Sequence, residues 1–172
     1  RKKIVITGGL GYIGTELCKI YSGVSWNNEI LVIDNRFVSE RVSQLRNWGI
    51  DFVHGDILDK DLVNRYCKDA DIVHHLAGIT DVPRLKSESS DDKDAKIKLV
   101  AEEGTQNILD AISDKCKIIF PSTHVVYEGI EKVKNDILED EHTKPILSYA
   151  KSKTINEKQL KNSGKNYIIL RL

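Results

Sequence analysis

Tyr149-Ala150-Lys151-Ser152-Lys153 sets a tyrosine and a lysine four residues apart, so on a helix both side chains project from one face. A free phenol, with a pKa of about 10, is a poor base at neutral pH. A cation within reach lowers it by roughly 1 to 3 units, enough to exchange a proton with a hydroxyl or a carbonyl. Such pairs arise on many helices, so this one counts only in company. Upstream, Pro121-Ser122-Thr123 follows the apolar run Ile118-Ile119-Phe120. That puts two hydroxyls at a strand exit, where open parallel sheets bind ligands. Thr123 is expected to hold a substrate hydroxyl beside Tyr149; the alternative is that Ser122 and Thr123 only cap a turn.

A second constellation lies at the other end of the chain. Ile4-Val5-Ile6 runs into Thr7-Gly8-Gly9-Leu10-Gly11-Tyr12-Ile13-Gly14 and then into apolar residues at helical spacing. Glycines at 9, 11 and 14 satisfy the general dinucleotide fingerprint, and those at 8, 11 and 14 the spacing of short-chain dehydrogenases. A strand–turn–helix context lets a pyrophosphate approach the main chain at a helix N-terminus. The alternative is a glycine-rich turn that carries no ligand. Asp34 closes the next apolar run, where a carboxylate accepts the adenosine ribose hydroxyls and meets a 2'-phosphate as a like charge. NAD is therefore expected over NADP, although Arg36 keeps NADP open, and a mere turn or capping role is the alternative for Asp34.

The elements that must position these residues can be read from periodicity. Strands are predicted at 4–6, 30–33, 52–53, 72–76, 118–120 and 167–172. Helices are predicted at 12–21, 41–47, 60–67, from the charged stretch 87–98 through Leu99, Val100, Ile108, Leu109 and Ile112, and at 149–160. Apolar strands without polar alternation, each separated by a helix, predict an α/β fold with a Rossmann-type, doubly wound parallel sheet covered on both faces. The whole of 1–172 reads as one such domain. Residues 87–98 read as a solvated loop and helix start.

Composition narrows the function classes. The 26 basic and 26 acidic residues cancel, so no global field draws the chain to nucleic acid or to an anionic membrane. No run is long enough to span a membrane, and a cytoplasmic location is expected. Cys18, Cys67 and Cys116 form no CxxC and read as buried thiols. His54, His74, His75, His124 and His142 show no metal-site spacing, so no metal is expected. Methionine is absent and the sequence stops at Arg171-Leu172 inside an apolar run, which reads as part of a longer protein.

Taken in order, TGGLGYIG, VIDN, HGDILD, HHLAG, EGTQNIL, PSTHVVYE and YAKSK resemble, over nearly the whole chain, the extended short-chain dehydrogenase/reductases, the group that includes UDP-galactose 4-epimerase and the sugar-nucleotide dehydratases and reductases. The resemblance implies a catalytic set of Thr123, Tyr149 and Lys153. It implies NAD held by Gly8, Gly11, Tyr12, Ile13 and Gly14 of the turn, by Asp34 and Asn35, by Asp56 and Ile57 at the adenine, by Leu76, Ala77 and Gly78 beneath the cofactor, and by Tyr149 and Lys153. It also implies a nucleotide-sugar substrate and a smaller C-terminal lobe not contained in this sequence. Finally it implies a homodimer through the helix beginning near Asp94 and the helix of Tyr149, where Leu99, Ile108, Ile155 and Leu160 either line the seam or belong to the core.

Three departures stand out. Ala101 occupies a position where the family often has Asn, so a polar contact is missing or supplied elsewhere. Glu128 replaces a glycine after Val126-Tyr127. Thr123-His124-Val125 lacks the acidic pair of the 4,6-dehydratases, which argues against elimination of water. The expectation is thus an epimerase that oxidises and re-reduces a sugar hydroxyl through NAD. The alternatives are a net reductase or dehydrogenase, and a non-catalytic dinucleotide sensor.

Overall fold

A computed structural model describes residues 1–80 and 90–172, so residues 87–89 of the charged stretch lie outside the described residues. Six strands, β1 (Lys3–Thr7), β2 (Glu29–Asp34), β3 (Asp51–His54), β4 (Ile72–His75), β5 (Lys117–Ser122) and β6 (Asn166–Arg171), alternate with five helices. These are α1 (Tyr12–Ser22), α2 (Ser39–Asn47), α3 (Lys60–Cys67), α4 (Asp91–Ala111) and α5 (Ser148–Asn162). The strands form one sheet in the order β3-β2-β1-β4-β5-β6, and every neighbouring pair is parallel. The chain winds outward from β1 to β3, returns to β4 beside β1, and winds outward the other way. That reversal opens a crevice at the carboxyl ends of β1 and β4, where sheets of this kind bind ligands.

The reason for this arrangement is visible in consecutive residues. Val5, Leu31, Ile33, Val73, Ile118 and Phe120 pack on one face of the sheet with Val63 and Cys67 of α3, Ile108 and Leu109 of α4, and Leu160 of α5. Their neighbours Ile4, Ile6, Ile30 and Val32 pack on the opposite face with Cys18 of α1 and Val42 and Leu45 of α2. Strands with apolar side chains on both faces need helices on both. The edge strand β6 departs from the expected double cover, with Tyr167, Ile168 and Leu170 left partly exposed.

Element limits follow local chemistry. Ser90 caps α4 by accepting the Lys93 N–H, and Asp91, Asp92 and Asp94 occupy its first turn, where carboxylates favour the positive helix end. The charged stretch is thus a helix start from Ser90 onward. Asp59 caps α3 in the same way. Cys18, Cys67 and Cys116 are free and buried, and burial pushes their thiols up to about 12, about 12 and about 11 respectively. No helix among the described residues is long and apolar enough to cross a membrane.

One buried ion pair locks α5 to the two strands below it. Glu157 of α5, 3% exposed, accepts the Ser122 hydroxyl at 2.6 Å and the Arg171 guanidinium at 2.9 and 2.7 Å. Ser122 and Arg171 are register partners on β5 and β6. Burial alone would raise this carboxyl, but the hydrogen bonds from Arg171 and Ser122 outweigh it and hold the group below its ordinary value. Removing one partner of a buried pair leaves a charge uncompensated, at a cost of about 3–5 kcal/mol. Glu157→Ala is therefore expected to lower the unfolding free energy by about that amount in denaturant titrations. A loss below about 1 kcal/mol, the scale of an exposed pair, would show that the network is not structural.

Candidate functional site

The turn after β1 closes on the exit of β4. Gly8 has φ +70°, and a side chain there would place its Cβ 2.7 Å from the Ala77 nitrogen, so glycine is required twice over. Gly14 lies in the first turn of α1, where a Cβ would come within 2.6 Å of Gly9 Cα. Gly11 is the N-cap of α1; no side chain caps this end and no acidic residue stands in its first turn. A bare helix N-terminus of this kind favours an anion.

Asp34 does what the turn-capping alternative proposes. One of its oxygens accepts the Leu10 N–H at 3.0 Å, and the other accepts the Arg36 N–H at 2.9 Å and lies 3.5 Å from the Arg36 Nε. Its carboxylate thereby holds the glycine turn to the end of β2 while still lining the cleft. Arg41 of α2 donates to the Leu10 carbonyl. Asn35 donates to Asp56 at 3.2 Å, and Asp56 accepts the Leu58 N–H at 2.9 Å. The EGTQNIL segment supports this loop from below: Asn107 donates to the Ile57 carbonyl at 3.0 Å, and Ile57 lies where a Gly104 side chain would be.

These elements border one cleft of about 1240 Å³. One end is formed by Gly8, Gly11, Tyr12, Ile13, Gly14, Asp34 and Asn35, the floor by Asp56, Ile57, Leu76, Ala77 and Gly78, and the far end by Thr123, Tyr149 and Lys153. All the residues expected from sequence to bind or react therefore face a single space. Lys93, Lys96 and Leu99 of α4 add a wall that the motifs do not signal.

At the far end the geometry corrects one expectation. Lys153 donates to the Pro121 carbonyl at 2.9 Å, with its ammonium 4.6 Å from the Phe120 ring centroid and 5.7 Å from that of Tyr149. Burial, which disfavours the charged form of both groups, lowers Lys153 to about 8 and raises the Tyr149 phenol. Burial raises the phenol in this arrangement, the opposite direction to the lowering expected from the lysine. Thr123 both lines the cleft and caps the short 3-10 helix His124–Tyr127, accepting the Val125 N–H at 3.2 Å. Ser122 is committed to Glu157.

Sequence reasoning missed a buried relay behind the site. Thr7 meets His75 Nδ1 at 2.9 Å, His75 Nε2 meets Thr105 at 2.9 Å, and Asn156 donates to Thr105 at 3.0 Å and to the Ala101 carbonyl at 2.8 Å. This chain of bonds ties β1 and β4 to α4 and α5. It also supplies, from Asn156, a polar contact at the position where Ala101 lacks one. The HHLAG motif gives no sign of it, since His74 and His75 there read as plain core. Glu128, the other departure, accepts the Ile146 and Leu147 N–H groups at 2.6 Å each and so fastens the chain just before α5. Of the residues considered for a dimer seam, Ile108 and Leu160 are fully buried core, Leu99 is 43% exposed and Ile155 is half-buried. Among the described residues, no group of three or more His, Cys, Asp or Glu could hold a metal.

Comparisons agree with this architecture. The family model of the 3-beta hydroxysteroid dehydrogenase/isomerase family matches residues 5–169. A CDP-paratose 2-epimerase of Salmonella typhi is 32% identical over 152 residues, covering 82% of this chain and 42% of the relative. A UDP-glucose 4-epimerase from Brucella ovis, solved in complex with NAD, is 30% identical with a TM-score of 0.78, covering 99% of this chain and 51% of that one. A UDP-glucuronic acid 4-epimerase from Bacillus cereus, solved with UDP-glucuronic acid and NAD, is 26% identical with a TM-score of 0.79, covering 98% and 55%. The chain spans about half the length of the relatives it matches.

The relay yields a pH test. Burial, reinforced by the Lys153 charge, pushes His75 down from 6.5 to about 3. Between those values the unfolded chain binds a proton that the folded chain does not, so stability falls as pH drops below about 6.5, by at most about 1.4 kcal/mol per pH unit from this group. In a nuclear magnetic resonance titration the His75 ring is expected to stay neutral down to pH 4 (about one unit above its folded value). A His75 midpoint near its ordinary value would contradict the burial argument.

Proposed function

The chain belongs to the 3-beta hydroxysteroid dehydrogenase/isomerase family of extended short-chain dehydrogenases, and from that premise we propose that it is the dinucleotide-binding part of a nucleotide-sugar epimerase working through NAD. The observation that carries the reading is one cleft with the glycine turn at one end and Thr123, Tyr149 and Lys153 at the other. The glycine turn and the uncapped end of α1 suit a pyrophosphate. The same cleft is lined from that turn through to Tyr149. Epimerases of similar fold hold NAD in their solved structures, which supports the choice of cofactor.

NAD supplies the acceptance and return of hydride; the protein's own residues manage protons and position. Tyr149, raised by burial, is protonated at neutral pH and gives its proton to a sugar oxygen when a carbonyl is reduced. To remove a proton from a sugar hydroxyl it needs the Lys153 ammonium to offset that burial. Lys153, at about 8, keeps most of its charge at pH 7. Thr123, at the strand exit beside them, orients the hydroxyl. Thr123-His124-Val125 offers no acidic pair for elimination, which favours epimerisation over dehydration.

We also infer a homodimer through α4 and α5, supported by the half-exposure of Ile155. Sedimentation of the full-length protein at micromolar concentration is expected to show a dimer, and a monomer alone would contradict this. A cytoplasmic setting fits the three unpaired thiols.

The catalytic assignment is tested with the full-length protein and UDP-sugars. Tyr149→Phe is expected to abolish turnover and leave NAD affinity nearly intact, because only the phenolic oxygen is lost, whereas Lys153→Ala is expected to weaken both. Wild-type turnover is expected without net consumption of added NAD or NADH. Wild-type rates in Tyr149→Phe would overturn the assignment, and stoichiometric coenzyme consumption would identify a net oxidoreductase instead.

A further inference from the structure

The wall that α4 adds to the cleft carries two lysines that the dinucleotide motifs do not use. Lys93 and Lys96 both border the cleft, about one helical turn apart, and both are exposed. Neither forms an ion pair among the described residues, not even Lys96 with Asp92 four residues before it. The other charged side chains bordering the cleft are engaged where they stand. Asp34 and Arg36 lie 3.5 Å apart at the glycine turn. Asp56, at the floor, accepts from Asn35 and from the Leu58 N–H, and Lys153 donates to the Pro121 carbonyl. Arg36, Lys93, Lys96 and Lys153 thus stand against the carboxylates of Asp34 and Asp56, which leaves the cleft with a surplus of positive charge. Asp91, Asp92 and Asp94 occupy the first turn of α4 but do not border the cleft.

The height of this pair in the cleft follows from helix geometry. Asn156 of α5 donates to the Ala101 carbonyl and to Thr105, so it lies level with the middle of that stretch of α4. Both helices return across parallel strands and therefore run the same way. Tyr149 precedes Asn156 by seven residues, about 10 Å at 1.5 Å per residue, and the same step along α4 reaches Lys96. Lys93 stands about 5 Å nearer the mouth. Ile57, at the floor, lies where a Gly104 side chain would be, about 12 Å down the helix from Lys96. The two ammonium groups are therefore at the height of Tyr149 and well above the floor. We propose that Lys96, with Lys93 above it, holds an anionic group of the sugar-nucleotide substrate, either the diphosphate that joins nucleotide to sugar or a carboxylate on the sugar; the inference rests on reading the far end of the cleft as the epimerase site. An ammonium is a compact cation on a flexible stem, and a lysine without a carboxylate partner breaks no ion pair in turning to an oxyanion. The surplus positive charge of the cleft also draws such a ligand in.

The test uses the full-length protein saturated with NAD and calorimetric titrations of UDP, UDP-glucose and UDP-glucuronic acid. Lys96→Gln is expected to weaken binding about fivefold, the scale of one exposed charge contact, and Lys93→Gln combined with it to weaken binding further. Loss of affinity for all three compounds identifies the diphosphate as the group held, and loss confined to UDP-glucuronic acid identifies the sugar carboxylate. In turnover the loss is expected in KM with kcat nearly unchanged, because the pair is placed to hold the substrate and not to move its protons; Lys96→Arg is expected to restore most of it. Added salt is expected to shrink the difference between wild type and variant. Lys98→Gln, exposed on the same helix and away from the cleft, is expected to change nothing, and NAD affinity is expected to stay the same in every variant. Changes below about twofold for all three compounds overturn the inference. So does an equal loss in Lys98→Gln, which would mark a general field of the helix, or an equal loss of NAD affinity. A protein that binds NAD but none of the three compounds also overturns it and leaves the dinucleotide reading intact, whereas failure to bind NAD removes that reading and the inference with it.

Discussion

The closeness of Gly8 to the backbone of Leu76 and Ala77 is the constraint on which the rest of the site depends. A side chain at Gly8 would lie within 2.8 Å of three backbone atoms there. The same turn is fixed from the other side by the Gly8 N–H on the Ile33 carbonyl at 2.8 Å and by Asp34 on the Leu10 N–H. Because β1 and β4 are neighbours in the sheet, this contact brings the N-terminus of α1 against the strand exit that floors the cleft. The rest of the cleft is built outward from that point. Asp56 and Ile57 follow β3, Thr123 follows β5, and α5 lies over β5 to bring Tyr149 and Lys153 to the far end.

Much of this was legible in the sequence because it follows from local rules. Glycine spacing after an apolar run identifies a turn that no other residue can make. Apolar runs without alternation identify strands covered on both faces, as Val5 and Ile6, packed on opposite faces, illustrate. The predicted limits of α3 are those observed, and those of α1, α2 and α5 differ only by a residue or two at an end. What the sequence does not carry is partnership between distant side chains. Nothing local says that Asp34 spends its oxygens on Leu10 and Arg36, or that Lys153 bonds the Pro121 carbonyl. Ile108 and Leu160 are apolar on a helix face in either a seam or a core, and only packing distinguishes the two. The partly exposed β6 was unreadable for a similar reason, since its composition is that of a covered strand.

The far end of the cleft is framed by two networks of buried polar groups. His75, Thr7, Thr105 and Asn156 satisfy one another on one side of Lys153, and Glu157, Ser122 and Arg171 do so beneath Thr123. Such networks cost desolvation and stabilise only when complete. Among the described residues, no buried side-chain polar atom lacks a partner. The consequence is a rigid frame around a lysine whose charge is held at some expense, since burial lowers it to about 8. A tyrosine and a lysine on an exposed helix would have the same spacing and none of this tuning.

In the proposed function, one dinucleotide spans the cleft from the glycine turn to Tyr149. A crystal structure of the full-length protein grown with NAD tests it most directly. The pyrophosphate is expected at the N-terminus of α1, against Gly11 to Gly14, and the nicotinamide end between Thr123 and Tyr149, with its ribose within hydrogen-bond reach of Lys153. A bound NAD whose nicotinamide lies elsewhere, or a pyrophosphate away from the α1 terminus, would contradict it.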